Sequence, residues 1–309
     1  MKAPRWSKDE LRLAVIDLGT NAIRFDAYIL DPKGAAHRLH REKRMIRLGD
    51  GLFNRGRLEA APLARLNTAL GDFSRMIKAW DLKNVAAFAT SALRDAPGAA
   101  KLVRSLNERF GIGLKVISGA HEARLTAEGI LANEKLPRGL FALLDIGGGS
   151  VELSYCRGKK VLKSLSLDLG CLRLRERFLS GQPPLPGELT DLRQHLRQSL
   201  KKLPPAPLIL GSSGTVRALS KIARTHHHPM DLPFLYRLNT QMALLHRPGL
   251  LALPGMETKR VDIILAGSVI LEEFVIQLKA KTVQPTEFSL RDGLFLEALE
   301  RLKSRRKKG

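Results

Sequence analysis

Two short segments rich in glycine carry residue types that can hold phosphate and a metal ion. The segment Asp145-Ile-Gly-Gly-Gly-Ser-Val-Glu152 follows an apolar run and sets a carboxylate on each side of three glycines. Glycines allow a sharp turn whose backbone N–H groups can bind phosphate oxygens. Mg²⁺ prefers a few carboxylate oxygens together with phosphate and water. We therefore expect Asp145 and Glu152 to hold a divalent cation. The expected phosphate donors are Gly147, Gly148, Gly149 and Ser150.

A related segment occurs about one domain length earlier in the chain. Val15-Ile-Asp-Leu-Gly19 and Leu143-Leu-Asp-Ile-Gly147 share the order apolar, apolar, Asp, apolar, Gly. Such self-similarity indicates a duplicated unit, with one copy in each half of the chain. We expect the first copy to face the same phosphate from the opposite side. Its candidate phosphate-binding residues are Asp17, Gly19, Thr20, Asn21 and Arg24.

Two further segments place polar residues where an apolar run ends. Arg94 follows the run 85–89, at the strand end where α/β sheets bind ligands, and we expect it to bind phosphate. The alternative for Arg94 is a simple ion pair with Asp95. After Leu210 the chain turns again through residues suited to a phosphate or a nucleotide. This candidate cradle consists of Gly211, Ser212, Ser213, Gly214 and Thr215.

Glu122 lies in the first turn of a predicted helix. A carboxylate in that position often caps the helix or complements its dipole. The spacing of a capping box is absent here, because His121 lies three residues after Ser118 and Gly119 lies three before Glu122. Glu122 is thus available for proton transfer if the fold brings it toward the aspartates. The sequence leaves that condition open.

The elements that must position these residues alternate between short apolar runs and longer amphipathic stretches, a pattern typical of an α/β fold. Strands are predicted near 13–16, 25–30, 85–89, 114–117, 141–144, 151–155, 164–167 and 208–210. Helices are predicted near 58–80, 98–110, 120–131, 260–280 and 291–304, with one more between the proline-rich segments 183–186 and 204–207. The predicted domains are 1–135, joined by the C-terminal helix 296–309, and 136–295, with 136–139 as the candidate hinge.

Composition excludes several classes of protein. The chain has 309 residues, of which 44% are hydrophobic and 27% charged, as in a globular protein. Its longest apolar stretch, about 263–271, is far shorter than the ~20 residues of a membrane span. Charges interrupt the N-terminal region where a signal peptide needs an apolar segment, so we expect a cytoplasmic protein. Two cysteines are too few for a disulfide framework or a zinc site.

The charge balance favours a polyanionic partner. Lys and Arg number 52 against 30 Asp and Glu, a formal net charge of +22. Aromatic residues make up only 5% and are not interleaved with the basic residues as in platforms that stack single-stranded nucleic acid. Nucleic acid is therefore disfavoured relative to a chain of phosphates.

Together these motifs resemble the exopolyphosphatase and guanosine pentaphosphate phosphohydrolase (Ppx/GppA) family, in its short two-domain form. The resemblance covers about residues 12–295. Besides the segments above, it rests on 47–51, 89–95, 117–125, Leu169-Gly170 with Arg173, 260–267 and 289–293. It implies two actin-like domains of the ASKHA, ribonuclease H-like type with a cleft between them, and a homodimer.

The resemblance also implies a reaction. In the family a glutamate directly before Ala, in a Ser-Gly-x-Glu-Glu-Ala segment, activates water; this role carries over to Glu122. The metal-binding positions carry over to Asp145 and Glu152, with Mg²⁺ or Mn²⁺ as the cation. The implied activity is that of an exopolyphosphatase, which releases orthophosphate from the end of inorganic polyphosphate. Such chemistry depends on positioning and charge neutralisation.

The sequence departs from the family pattern at three positions, and His121 and Ala22 motivate the regulator among the alternatives below. His121 replaces a second acid beside the base, while Thr20 and Ala22 replace serines. One alternative is a guanosine pentaphosphate 5′-phosphohydrolase, which would use the same residues. Another is a regulator that binds guanosine tetraphosphate, guanosine pentaphosphate or polyphosphate without turnover. A kinase of the wider superfold is a further alternative, and it would need an acceptor site.

Overall fold

A computed structural model describes residues 11–31, 35–225 and 227–306. They separate into two compact units. The first combines the described residues up to Ser118 with those from Gly293 onward, and the second is Gly119–Asp292. The chain thus passes from one unit to the other at the start of the helix that carries Glu122. The boundary that the sequence places after residue 135 stays a prediction.

The first unit is built around a five-stranded sheet of order β3-β2-β1-β4-β5. Its elements up to Ser118 are, in chain order, β1 (Leu11–Leu18), β2 (Ala22–Leu30), β3 (Ala36–Met45), α1 (Leu52–Arg55), α2 (Ala60–Ala79), β4 (Asn84–Ala89), α3 (Ser91–Asp95), α4 (Ala99–Phe110) and β5 (Lys115–Val116).

The second unit is built around a five-stranded sheet of order β10-β9-β6-β7-β8. Its elements are α5 (Gly119–Asn133), β6 (Leu140–Ile146), β7 (Val151–Arg157), β8 (Lys160–Leu167), α6 (Cys171–Phe178), α7 (Glu188–Leu200), β9 (Leu208–Ser212), α8 (Ser213–Thr225), α9 (Leu232–Ala243), α10 (Arg247–Ala252), α11 (Ile264–Leu278) and β10 (Thr282–Pro285). The last helix, α12 (Leu290–Arg306), leads back into the first unit.

The two sheets have the same topology, which confirms the α/β class and the duplication. In each sheet the first strand pairs antiparallel with the second and the second with the third. The first strand also pairs parallel with a later strand on its other side, and that strand pairs parallel with the last. β1 and β6 therefore occupy equivalent central positions, and each ends at a glycine-containing segment.

Burial explains why these central strands form. Ala14, Val15 and Ile16 of β1 are all buried, because the middle of a sheet covered on both faces needs a continuous apolar run. Phe25 of β2 stacks on Phe73 of α2 with ring centroids 4.9 Å apart, which fixes one helix layer on the sheet.

Most elements predicted from apolar patterning are confirmed, whereas the strands β3 and β10 and the helices α6, α8, α9 and α10 were not predicted. β3 carries Arg38, Arg41, Lys43 and Arg44 and shows no apolar alternation, so its sequence gives no strand signal. It forms because β2 offers an open edge, and charges are typical of a strand at the edge of a sheet. Across the described parts of the chain, every helix is too short or too polar to cross a bilayer.

Candidate functional site

Each unit presents its glycine segment as a tight loop between the first two strands. In the first loop (Gly19–Ala22) the N–H of Gly19 donates to the carbonyl of Ala22, with N and O 3.0 Å apart. In the second loop (Gly147–Ser150) the N–H of Gly147 donates to the carbonyl of Ser150, also at 3.0 Å. The two loops therefore close by the same hydrogen bond at equivalent positions.

The residues flanking the two loops differ in charge. In the first hairpin Asp17 faces Arg24 across the strand pair, and their side chains form an ion pair with Nη1 2.5 Å from Oδ2. In the second hairpin Asp145 faces Glu152 in the same register. The first pair is internally neutralised, whereas the second places two acids opposite each other.

Three acids of the second unit interact electrostatically. Burial raises the pKa of Glu152 well above its ordinary value, and repulsion from Glu122 and then Asp145 raises it further. Hydrogen bonds from Ser150 and Ser166 partly oppose this rise, and the Ser166 hydroxyl lies 2.9 Å from a Glu152 oxygen. The three side chains thus form a cluster of interacting acids.

The position of Glu122 follows from the packing of α5. This helix packs against β7 and β8, and Glu122 in its first turn is buried. Within the second unit Glu122 interacts electrostatically with Glu152. Its role as a base stays a prediction.

The second loop owes its backbone orientation to α6. The amides at the start of α6 donate to the carbonyls of Gly147, Gly148 and Gly149. In a trans peptide the N–H points opposite to the C=O of the same plane, so the N–H groups of Gly148, Gly149 and Ser150 point away from α6. Gly147 differs from the prediction, because its own N–H closes the loop.

The other candidates of the first unit have defined partners. The first loop is held from behind, since the carbonyl of Thr20 accepts from Gly49 and that of Asn21 accepts from Ile46 and Arg47. Arg94 donates from Nη1 to the carbonyl of Ile117 at 3.1 Å, which fixes its guanidinium at the end of β5. The expected contacts of Thr20, Asn21, Arg24 and Arg94 with phosphate stay predictions.

The residues of the candidate cradle at the start of α8 make hydrogen bonds and close contacts within the protein. The Ser212 hydroxyl donates to the carbonyl of Phe288 at 2.9 Å, and the Ser213 hydroxyl accepts from the amides of Thr215 and Val216. Gly214 lies so close to the guanidinium of the buried Arg260 that a side chain at position 214 would overlap it. These contacts stabilise the β9–α8 turn, and its role as a cradle stays a prediction.

The charges fit a divalent cation bound jointly with phosphate. Within the three described ranges, no group of three or more His, Cys, Asp or Glu side chains has the arrangement of a metal site. Mg²⁺ does not require one, since it commonly uses one or two carboxylates together with phosphate and water. A dication beside Asp145 and Glu152 would offset the repulsion that raises the pKa of Glu152.

One element of the site was not assigned a role from the sequence. Gly170 and Arg173 were noted only as matches to a family pattern, although α6 orients the second loop. The available signal was a glycine next to a helix start, which suggests a close backbone approach. The sequence could not indicate that the approaching backbone lies about 20 residues earlier.

Comparison with known proteins gives consistent results. The model of the Ppx/GppA phosphatase family matches residues 30–302. The chain is 31% identical over 312 residues to "Exopolyphosphatase 2" of Mycobacterium tuberculosis, covering 92% of this chain and 98% of that protein. It is 26% identical over 307 residues to "Exopolyphosphatase 1" of Mycobacterium leprae, covering 94% and 90%.

Solved structures show the same fold. An exopolyphosphatase from Cytophaga hutchinsonii superposes with a TM-score of 0.83 at 24% identity, covering 94% of this chain and 98% of that one. A Ppx/GppA family member from Aquifex aeolicus superposes with a TM-score of 0.76 at 23% identity, covering 96% and 99%. At these identities the likeness concerns the fold, and it matches the two repeated sheets described above.

Proposed function

The chain belongs to the Ppx/GppA phosphatase family, and from that premise we propose that it hydrolyses the terminal phosphoanhydride bond of inorganic polyphosphate with Mg²⁺. The observation that carries the proposal is the interaction of Glu122, Asp145 and Glu152 in the second unit. Three acids beside a loop with outward-facing amides combine a base, a cation site and phosphate donors.

Each group has a distinct task in this proposal. Glu122 accepts the proton of the attacking water, which becomes part of the released orthophosphate. The amides of Gly148, Gly149 and Ser150 hold oxygens of the terminal phosphate. Asp145 and Glu152 are the residues that would hold Mg²⁺, which when bound supplies neutralising charge for the phosphate oxygens. The net charge of +22 favours attraction of a long polyanion.

Glu122→Gln is the decisive variant. Glutamine keeps the size and shape of the side chain but cannot take up the proton, so phosphate release should fall by about 10²-fold to 10⁴-fold. Inorganic phosphate should still bind. Glu128→Gln on the same helix is the matched control, since Glu128 is exposed and pairs with Arg124; it should retain full activity. Equal activity of wild type and Glu122→Gln would exclude Glu122 as the base.

The preferred substrate is tested by comparing kcat/KM for three phosphate compounds. Phosphate release is measured from long polyphosphate, tripolyphosphate and guanosine pentaphosphate, each with and without Mg²⁺. We expect polyphosphate to give the highest kcat/KM and chelation of Mg²⁺ to abolish release. A higher kcat/KM for guanosine pentaphosphate would assign the chain to the alternative 5′-phosphohydrolase. Binding without release would indicate the regulator.

Three expectations from the sequence remain part of the proposal. We propose a homodimer, a location in the cytoplasm, and guanosine tetraphosphate or pentaphosphate as competing ligands. Light scattering after size-exclusion chromatography measures the oligomeric state. Titration calorimetry with guanosine tetraphosphate tests binding of the alarmone separately from turnover.

A further inference from the structure

Helix α6 contacts the second loop directly through backbone hydrogen bonds. The amide of Cys171 donates to the carbonyl of Gly147, and those of Leu172 and Arg173 donate to that of Gly148, with N and O 2.9–3.1 Å apart. The amide of Gly170, directly before the helix, donates to the carbonyl of Gly149 at 3.3 Å. The positive end of the helix dipole therefore faces three carbonyl oxygens. The contacts with α6 thus engage the carbonyl oxygens of the loop.

Gly170 makes this approach possible. A Cβ at this position would lie 2.3 Å from the carbonyl carbon of Gly149 and 2.4 Å from that of Gly148. Both neighbours are backbone atoms, which cannot rotate away as a side chain can. Any residue other than glycine at position 170 would therefore push the loop away from α6.

Arg173 adds a side-chain contact that reaches a loop carbonyl. Its Nε–H donates to the carbonyl of Gly149 at 2.7 Å, while its backbone N–H donates to that of Gly148 at 3.1 Å. The two bonds fix consecutive peptide planes. These planes carry the N–H groups of Gly149 and Ser150, which point to the other side.

We propose that Arg173 is a positioning residue that acts through the second loop, setting the direction of the amides that bind the terminal phosphate. This inference rests on the proposed function for its substrate. Oriented amides are effective because they need no rearrangement as charge develops on the phosphate oxygens. A guanidinium that holds the carbonyl side would preserve that orientation without touching the substrate.

The test compares Arg173→Met, Arg173→Lys and Arg177→Met. Arg177 lies on the same helix with its side chain exposed and its guanidinium over the ring of Phe178. Replacing it removes the same charge from α6 without affecting the loop. Methionine at position 173 keeps the length of the side chain but removes the donor, whereas lysine keeps a donor that can reach the carbonyl of Gly149.

We expect Arg173→Met to lower kcat on tripolyphosphate by about 10-fold to 100-fold, since small misplacements of binding groups have effects of this size. The Kd for inorganic phosphate with Mg²⁺ should rise about 3-fold to 10-fold at unchanged stoichiometry. Arg173→Lys should restore most of both values, and Arg177→Met should stay within about twofold of wild type. Simple loss of folded protein would instead lower the stoichiometry and leave the Kd unchanged.

Amide hydrogen exchange provides a readout that needs no activity. The amides of Gly147, Cys171 and Leu172 close the loop or hold it to α6. Their hydrogen-exchange rates should therefore rise in Arg173→Met and stay unchanged in Arg177→Met. If wild type releases no phosphate, the proposed function fails and the exchange rates still test the clamp. Unchanged kcat, Kd and exchange in Arg173→Met would overturn the inference. Equal losses in Arg173→Met and Arg177→Met that vanish at high salt would assign both residues to charge steering instead.

Discussion

The two glycine loops close in the same way but are flanked by different charges. Both close by an N–H···O bond from the first glycine to the residue three positions on. Both place an aspartate on the incoming strand opposite a charged residue on the outgoing strand. That second residue is Arg24 in the first unit and Glu152 in the second. One position therefore decides whether the aspartate faces a basic or an acidic residue across the hairpin.

The loops also differ in what supports them from behind. Backbone amides of Ile46, Arg47 and Gly49 hold the carbonyls of the first loop, and Arg47 adopts a positive φ of 51° there. The N-terminus of α6 holds the carbonyls of the second loop. In both units the carbonyls of the glycine loop are thus fixed by backbone amides. The segment that supplies these amides differs between the two units.

Glu152→Arg should have the largest effect, because it gives the second hairpin the charge pattern of the first. An arginine opposite Asp145 would form the ion pair seen at Asp17 and repel a cation. We expect phosphate release to fall at least about 10³-fold, as for removal of a charge that stabilises the transition state. In wild type, Mg²⁺ at 100 times its Kd should add about 2.7 kcal/mol to the free energy of unfolding, and this gain should disappear in the variant.

Thermal unfolding with and without Mg²⁺ measures that gain, and Glu152→Gln is the control that removes the charge without adding a cation. A Glu152→Arg variant that remains active, or is still stabilised by Mg²⁺, would contradict the proposed difference between the hairpins.

A matched pair of glycine substitutions should have an intermediate effect. A Cβ at Gly147 would lie 2.9 Å from the carbonyl oxygen of Ser150, whereas at Gly19 it would lie 3.4 Å from that of Ala22. Gly147→Ala must therefore displace the loop, which costs about 1–3 kcal/mol, and we expect a loss of about 10-fold to 100-fold in kcat/KM. Gly19→Ala should change either quantity by much less.

Chemical denaturation and steady-state kinetics on both variants test this contrast. Equal losses from Gly19→Ala and Gly147→Ala would mean that the tighter closure of the second loop has no functional weight.

Among these substitutions at the two hairpins, Arg24→Met should change turnover least. Its main effect should be on the free energy of unfolding. Asp17 is buried and its carboxylate pairs with Arg24, so removal of the partner should lower the free energy of unfolding by about 1–3 kcal/mol. The double variant Asp17→Asn with Arg24→Met should recover part of this loss. Urea unfolding of the wild type, Arg24→Met and the double variant measures these free energies of unfolding. A large fall in kcat at full stability would instead favour the predicted contact of Arg24 with phosphate.

Much of the fold could be predicted from local patterns. Central strands need continuous apolar runs, so β1 and β6 could be predicted from the sequence. The motif that they share indicated the duplication. The edge strand β3 was missed because its charged residues are tolerated only where a sheet ends, which is a property of its neighbours. The ion pair of Asp17 with Arg24 could have been found, since two residues seven apart around a four-residue loop face each other in the hairpin.

The sequence by itself determined the residue types, the repeat and the strand ends at which they lie, because these depend on periodicity and on the few residues that permit a tight turn. Only the tertiary structure decided how each group is used. It paired Asp17 with Arg24, brought Glu122 of α5 to Glu152, and set the N-terminus of α6 behind the second loop. These contacts join elements distant along the chain, and their energies depend on distance and burial, which the order of residues does not encode locally.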